Sequence, residues 1–290
     1  MILVTGANGQ LCQCFRQLAA QWPQYRFDFL GASDLDVSDR KAVAEYFACQ
    51  KPRWAINCAA YTAVDKAESE PELAHKANVL GPRNLALACA AHRVPLIHFS
   101  TDYVYHSRQN TPFREGDRVS PKGVYARTKL AGERAAVKAC PDLTMIVRTS
   151  WLYSEHGHNF VKTMLRLGSE RPELRVVADQ IGSPTYAPDL AAAVLQIVRM
   201  VESGKVPPTA IAGIWHYANE GVASWYDFAQ AIFDIRQVNC KVVPISTSDY
   251  PTPAPRPAFS VLDKSKIKLA FGVEVPYWRD SLRRCLGAKN

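Results

Sequence analysis

The first eleven residues constrain the fold more than any other stretch. An apolar run, Ile2-Leu3-Val4, leads through Thr5 into Gly6-Ala7-Asn8-Gly9, and a helical pattern begins at Gln10-Leu11. An uninterrupted apolar run of this kind suits a buried parallel strand. A sharp glycine turn from such a strand into a helix presents backbone N–H groups to a pyrophosphate. The spacing therefore predicts a dinucleotide held at Gly6, Asn8, Gly9, Gln10 and Leu11. Taken alone, the stretch also fits a strand, turn and helix with incidental glycines, the lesser of the two readings. The position that favours a third small residue carries Cys12, which is expected to hold the first helix slightly off its best distance from the pyrophosphate. A thiol near a helix N-terminus is also expected to have a lowered pKa.

From Gln10 onward the chain alternates helix and strand. A helix over Gln10 to Gln21 precedes a strand at Tyr25 to Leu30, and Ser38 is placed to cap a helix from Asp39 to Cys49. Trp54 to Cys58 reads as a third strand, Glu72 to Ala91 as one long helix, and Pro95 to Phe99 as a fourth strand. This repetition with short turns predicts a doubly wound parallel α/β sheet of the Rossmann type, with ligands gathered at the carboxyl ends of its strands. Those ends carry Gly6 and Gly9, then Ala60-Tyr61-Thr62, then Thr101-Asp102-Tyr103. No acid stands directly at the end of the second strand, where Gly31-Ala32-Ser33 precedes Asp34 and Asp36, so a 2'-phosphate is permitted there.

The 290 residues suffice for about two domains. Residues 1–150 are expected to form the dinucleotide-binding part, and residues 151–290 mainly a smaller α/β substrate-binding lobe, with some segments returning to the first. Beyond Trp151 the pattern predicts helices at Phe160 to Leu167, Leu190 to Val201 and Trp225 to Ile235, and strands at Leu174 to Val177 and Ile214 to Tyr217. Tyr250 to Pro257 is too rich in proline for helix or central strand and should lie extended over a surface.

A composition of 48% hydrophobic and 21% charged residues excludes a mostly disordered chain. The most apolar segment, Leu190 to Val201, is interrupted by Gln196 and Arg199, so no membrane association is expected and the cytoplasm is the default location. The eight cysteines are scattered without metal spacing and read as free thiols. His156-Gly157-His158 lacks further ligands at a recognisable spacing, and no metal is expected. The net charge of +8 is dispersed rather than clustered, which suits a phosphorylated small molecule better than nucleic acid. The same charge is also what solubility alone would ask for.

Val124 to Glu133 forms a helical segment in which Tyr125 and Lys129 stand four residues apart, hence on one face. An ammonium so placed can favour the phenolate and make tyrosine a general acid near neutral pH. Together with the glycine turn and Ser100-Thr101, this resembles the extended short-chain dehydrogenase/reductase family. The likeness is closer to its dTDP-4-dehydrorhamnose reductase branch. It is carried by Thr62-Ala63-Val64-Asp65-Lys66-Ala67-Glu68, Ser100-Thr101-Asp102-Tyr103-Val104, Arg148-Thr149-Ser150-Trp151, Asp179-Gln180-Ile181-Gly182-Ser183-Pro184-Thr185 and Tyr250-Pro251-Thr252-Pro253.

The resemblance implies reduction of the C4 carbonyl of a nucleotide-linked 4-keto sugar, dTDP-4-dehydro-L-rhamnose, by NADPH or NADH. It places Thr101, Tyr125 and Lys129 in catalysis, with Lys129 on the nicotinamide ribose. It puts Asp36 and Val37 near the adenosine and Ala60, Tyr61 and Thr62 beside the nicotinamide half. It assigns Thr62, Thr101, Asp102, Tyr103 and Trp151 to the sugar nucleotide, and Arg256 is placed at the diphosphate because a planar fork suits paired oxygens. A homodimer is admitted but not required. Two rivals remain. Related dehydratases and epimerases share the fold, but a dehydratase needs a second carboxylate where Tyr103 follows Asp102. A cofactor-binding regulatory subunit would keep the cleft without turnover.

Overall fold

The apolar N-terminal run forms β1 (Ile2–Thr5), buried throughout, and the glycine turn passes the chain into α1 (Gln10–Ala19). The structure, a computed structural model, describes residues 1–107 and 109–288. Gly6 makes the turn feasible. Its φ is +78°, and a Cβ there would stand 2.7 Å from the Ala59 amide nitrogen, so both conformation and space exclude a side chain.

The chain continues through β2 (Phe27–Leu30), α2 (Arg40–Gln50) and β3 (Trp54–Asn57). Asp39, not Ser38, caps α2, its carboxylate accepting from the Lys41 and Ala42 N–H groups at 2.8 and 3.1 Å. A charged acceptor is the stronger partner at a positive helix end.

The long helix expected over Glu72 to Ala91 is present and carries a π segment: α3 (Pro71–His75) runs without interruption through a π turn (Lys76–Leu80) into α4 (Gly81–His92), with Pro82, which lacks an N–H, just after the π turn. Next come β4 (Leu96–Thr101), α5 (Gly123–Ala139) and β5 (Thr144–Thr149). α5 packs on the π turn so closely that a Cβ at Gly132 would overlap the Asn78 carbonyl oxygen.

After β5, the short β6 (Leu152–Tyr153) and α6 (Phe160–Glu170) start the lobe, followed by β7 (Glu173–Val177), β8 (Ile181–Gly182) and β9 (Thr185–Tyr186). α7 (Ala187–Glu202) then returns to the main sheet and lies in one core with α1. β10 (Gly213–His216) adds to the sheet edge beside β5, which completes six parallel strands in the order β2-β1-β3-β4-β5-β10. Side chains alternate across it: Ile2 and Val4 join the core under α1 and α7, whereas Leu3 joins the core with Val43 of α2 and Leu85 of α4.

The lobe is completed by β11 (Ala223–Ser224), which pairs with β8, then α8 (Trp225–Arg236), and β12 (Lys241–Ile245), which lies parallel to β7. α9 (Ser265–Phe271) packs back on the first core through Ile267 and Phe271. α10 (Trp278–Cys285) closes a separate core of Met164, Phe228, Ile232 and Trp278. Residues 250–257 carry no helix or strand, as their prolines predict.

Two substitutions test this packing. Alanine normally improves a helix interior by about 1 kcal/mol over glycine, but Gly132→Ala should instead cost about 1–3 kcal/mol, because the Asn78 carbonyl must move. Cys12 is fully buried in the first core, so Cys12→Gly should cost about 1–2 kcal/mol through lost packing and added chain entropy. Urea unfolding midpoints check both signs.

Candidate active site

The carboxyl ends of β1, β3, β4 and β5 open onto one cleft of about 450 Å3, walled on the far side by Trp151, Leu152, His158, Asn159 and Trp225 from the lobe. A buried polar ladder sets the near side. Asn57 Oδ1 accepts from Thr5 Oγ1 at 2.7 Å and from the Ala59 N–H at 3.1 Å, and Asn57 Nδ2 lies 3.0 Å from His98 Nδ1. The backbone leaving β3 is thereby held against Gly6.

Gly9 begins α1 with no side chain capping it, which leaves first-turn N–H groups free to meet an anion, and Gly9, Gln10 and Leu11 line the cleft. The Gln10 amide turns aside to the lobe. Its Nε2 donates to the Leu152 carbonyl at 3.1 Å, and its Oε1 accepts from Ser154 Oγ and Asn159 Nδ2, each at 3.3 Å. Asn8 is exposed beside the turn after β2.

The residues expected near the adenosine lie in the turn after β2. Val37 is buried in the core, and the Asp36 carboxylate accepts from the Ser38 N–H within its own turn. Neither lines the cleft. It is Asp34 that folds back to the end of β2, accepting from the Gly31 N–H at 2.9 Å. On the other half, Ala60 and Thr62 line the cleft, while Tyr61 directs its hydroxyl away to Glu70 at 2.6 Å. The Tyr61 backbone is gripped by Asn78, whose amide accepts from the Tyr61 N–H at 2.9 Å and donates to its carbonyl at 3.1 Å. Asn78 also donates to Thr128 on α5. Sequence reasoning missed it, and the Gly81-Pro82 pair was the available sign of an irregular helical turn there.

Thr101, Asp102, Tyr103, Tyr125 and Lys129 all line the cleft. The 3-10 turn Asp102–Val104 begins where Thr101 Oγ1 accepts from the Tyr103 N–H at 3.2 Å. That hydroxyl donates to Asp102 Oδ1 at 3.1 Å. Burial pushes Asp102 up to about 7, against the pull of hydrogen bonds from Ser260 and Thr101.

Tyr125 and Lys129 share a face of α5, and burial works against the phenolate that the spacing was expected to favour. Burial pushes the Tyr125 phenol up to about 12, and the Thr101 hydrogen bond is what draws it down. Lys129 Nζ donates to the Phe99 carbonyl at 2.7 Å, and burial lowers it to about 8 while Glu133 and Cys58 oppose the fall. The expectation for Cys12 fails for the same reason: its buried thiol is pushed up to about 11.

Trp151 enters the cleft from a left-handed backbone (φ +46°), a conformation costly for a bulky residue and typical of functional sites. Its indole stacks on Trp225, with centroids 3.6 Å apart and planes 8° from parallel. Spacing gave no sign of Trp225, which starts α8 behind the capping box of Ser224 and Asp227. Arg256 does not itself line the cleft but stands close to Tyr103, which does. Its fork closes on Asp65 at 3.0 and 2.7 Å, tying the proline-rich segment to the loop after β3.

The chain matches the RmlD substrate binding domain family over residues 1–290. It is 44% identical to a dTDP-4-dehydrorhamnose reductase of Sinorhizobium fredii, over 99% of this chain and 97% of the relative. The crystal structure of a dTDP-4-dehydrorhamnose reductase from Clostridium acetobutylicum superposes with a TM-score of 0.91 at 40% identity, covering 99% of this chain and 98% of that one. The same enzyme from Bacillus anthracis, solved in complex with NADP, gives a TM-score of 0.91 at 36% identity, with 98% of each chain covered. An uncapped helix end, a Thr-Tyr-Lys group in one cleft and full-length similarity agree, and the chain belongs to the RmlD substrate binding domain family.

Proposed function

We propose that this protein reduces the C4 carbonyl of dTDP-4-dehydro-L-rhamnose, giving dTDP-L-rhamnose, with NADPH or NADH. The observation that carries the reading is the meeting of Thr101, Tyr125 and Lys129 in the cleft that also receives the uncapped N-terminus of α1. Support comes from relatives that bear this activity in their names. The nicotinamide, when bound, supplies the hydride to the carbonyl carbon.

The residues supply the rest. Tyr125 gives its proton to the oxygen that becomes the hydroxyl, and a phenol kept protonated by burial is in the state a reduction requires. Thr101, which lines the cleft with Tyr125, offers its hydroxyl to the same oxygen. Lys129 uses one of its donors on the Phe99 carbonyl and offers others to the nicotinamide ribose. The N–H groups of α1 take the cofactor pyrophosphate. Thr62, Asp102, Tyr103 and Trp151 face the sugar nucleotide.

Both cofactors fit the reading. The Bacillus anthracis relative holds NADP, whereas Asp34 supplies a carboxylate at the end of β2, the place from which an acid takes ribose hydroxyls. Tyr103 in place of a second carboxylate favours reduction over elimination.

Purified protein with a panel of nucleotide 4-keto sugars should oxidise NADPH or NADH fastest with dTDP-4-dehydro-L-rhamnose, and absence of oxidation with that sugar refutes the reading. Tyr125→Phe should lower turnover about a hundredfold or more while cofactor affinity, followed by tryptophan fluorescence, stays near that of the parent. Asp102 ionises near 7 in the fold but near 4 in an open chain, so the fold binds an extra proton between those values. Its contribution to stability therefore falls as pH rises through that window. Asp102→Asn should flatten this part of the pH dependence, measured as urea midpoints from about pH 4 to about pH 8.

A further inference from the structure

Behind the cleft lies a buried ionic network that the proposed chemistry does not use. Glu133 stands one turn beyond Lys129 on α5, so Tyr125, Lys129 and Glu133 follow one another along a single helix face. Its side chain is 3% exposed and that of Arg148, on β5, 2%. The guanidinium meets the carboxylate with two bonds, Nε to Oε1 at 2.9 Å and Nη2 to Oε2 at 2.6 Å. Ser100 Oγ, from the residue before Thr101, donates to the same carboxylate. Arg148 Nη1 donates to the Tyr105 hydroxyl at 2.6 Å, and that hydroxyl lies 2.9 Å from His216 Nε2.

We propose that Glu133 is a positioning residue for the reduction: its carboxylate, locked by Arg148 and Ser100, holds Lys129 in its charged form at the cofactor ribose and fixes the end of β4 that carries Thr101. The proposal rests on the roles of Tyr125 and Lys129 in the proposed reduction.

The physical case begins with the cost of burying an ammonium. Lys129 is 3% exposed and its charge has one hydrogen bond, to a neutral carbonyl. Burial alone drives it toward the neutral amine, which could neither attract the cofactor nor donate from three hydrogens. The groups that face it are Tyr125 and Glu133 of α5, Cys58 at the exit of β3 and His98 of β4. His98 is held neutral by burial and by Lys129 itself, and the Cys58 thiol is pushed well up, so neither brings a negative charge at neutral pH. Glu133 is left as the anion that opposes desolvation of Lys129. The two-pronged bond to Arg148, with the bond from Ser100, fixes that carboxylate in one orientation one helical turn from Lys129.

The test uses the full-length protein and two readouts: the pH dependence of kcat/KM with dTDP-4-dehydro-L-rhamnose, and the pH dependence of NADPH affinity by tryptophan fluorescence. Glu133→Gln should move the alkaline fall in both down by about one pH unit or more, since less attraction makes Lys129 easier to deprotonate. Because Glu133→Gln leaves Arg148 buried without a partner, the double variant Glu133→Gln/Arg148→Met serves where the single one does not fold, and a smaller displacement in the same downward direction is expected, since a cation leaves with the anion. Glu133→Asp, which keeps the charge but withdraws it by one methylene, should shift the fall by less than half as much. An unmoved alkaline fall in a folded variant without the carboxylate overturns the proposal, and so does an equal shift in Glu133→Asp. Lack of turnover in the parent protein would instead defeat the reading of the reaction, while the cofactor titration would still judge Glu133.

Discussion

The site depends first on the polar ladder Thr5, Asn57 and His98, which crosses three central strands at their carboxyl ends. In a sheet covered on both faces, polar side chains are costly unless bonded, and these three bond one another in register. Asn57 also takes the Ala59 N–H, so the chain leaving β3 bends toward the glycine turn after β1. The close approach of Gly6 to Ala59 follows from that bend. The glycine turn after β1 and the loop after β3, from separate parts of the sequence, are thus held by one amide.

Burial is the second constraint, and it decides charge states more than sequence neighbours do. The spacing of Tyr125 and Lys129 suggests a phenol made acidic by an adjacent ammonium. In the folded cleft both groups are desolvated, so the phenol rises and the ammonium falls. For a reduction this is coherent, because the donor must begin protonated. It also means that the charge on Lys129 needs support, and the buried carboxylate one helical turn away is placed to give it.

The third element is the connection between the parts of the chain. Gln10 bonds the glycine turn to the loop at residues 152–159, and the Asp65 pair with Arg256 ties the proline-rich segment to the loop after β3. Carboxylates of that loop also reach inward: Glu68 accepts from the Val124 N–H at the start of α5, and Glu70 from Tyr61. The acid-rich stretch after Thr62 therefore works as scaffolding around the cleft. Arg256, whose planar fork suits paired oxygens, closes that fork on Asp65 of the same stretch.

What the sequence determined by itself is local: the apolar run into glycines, the alternating strands and helices, the four-residue spacing of Tyr125 and Lys129, and prolines that exclude regular structure over 250–257. These follow from backbone conformation and periodicity, which neighbouring residues settle. Tertiary structure decided what depends on contact between distant residues. The return of α7 and β10 to the main sheet, the backbone contact between Gly132 and Asn78, and the stacking of Trp151 on Trp225 have no signature in spacing. The same holds for the partner of Arg256 and for every shifted pKa, because a salt bridge and a desolvation penalty exist only once the chain has brought remote groups together and removed the water between them.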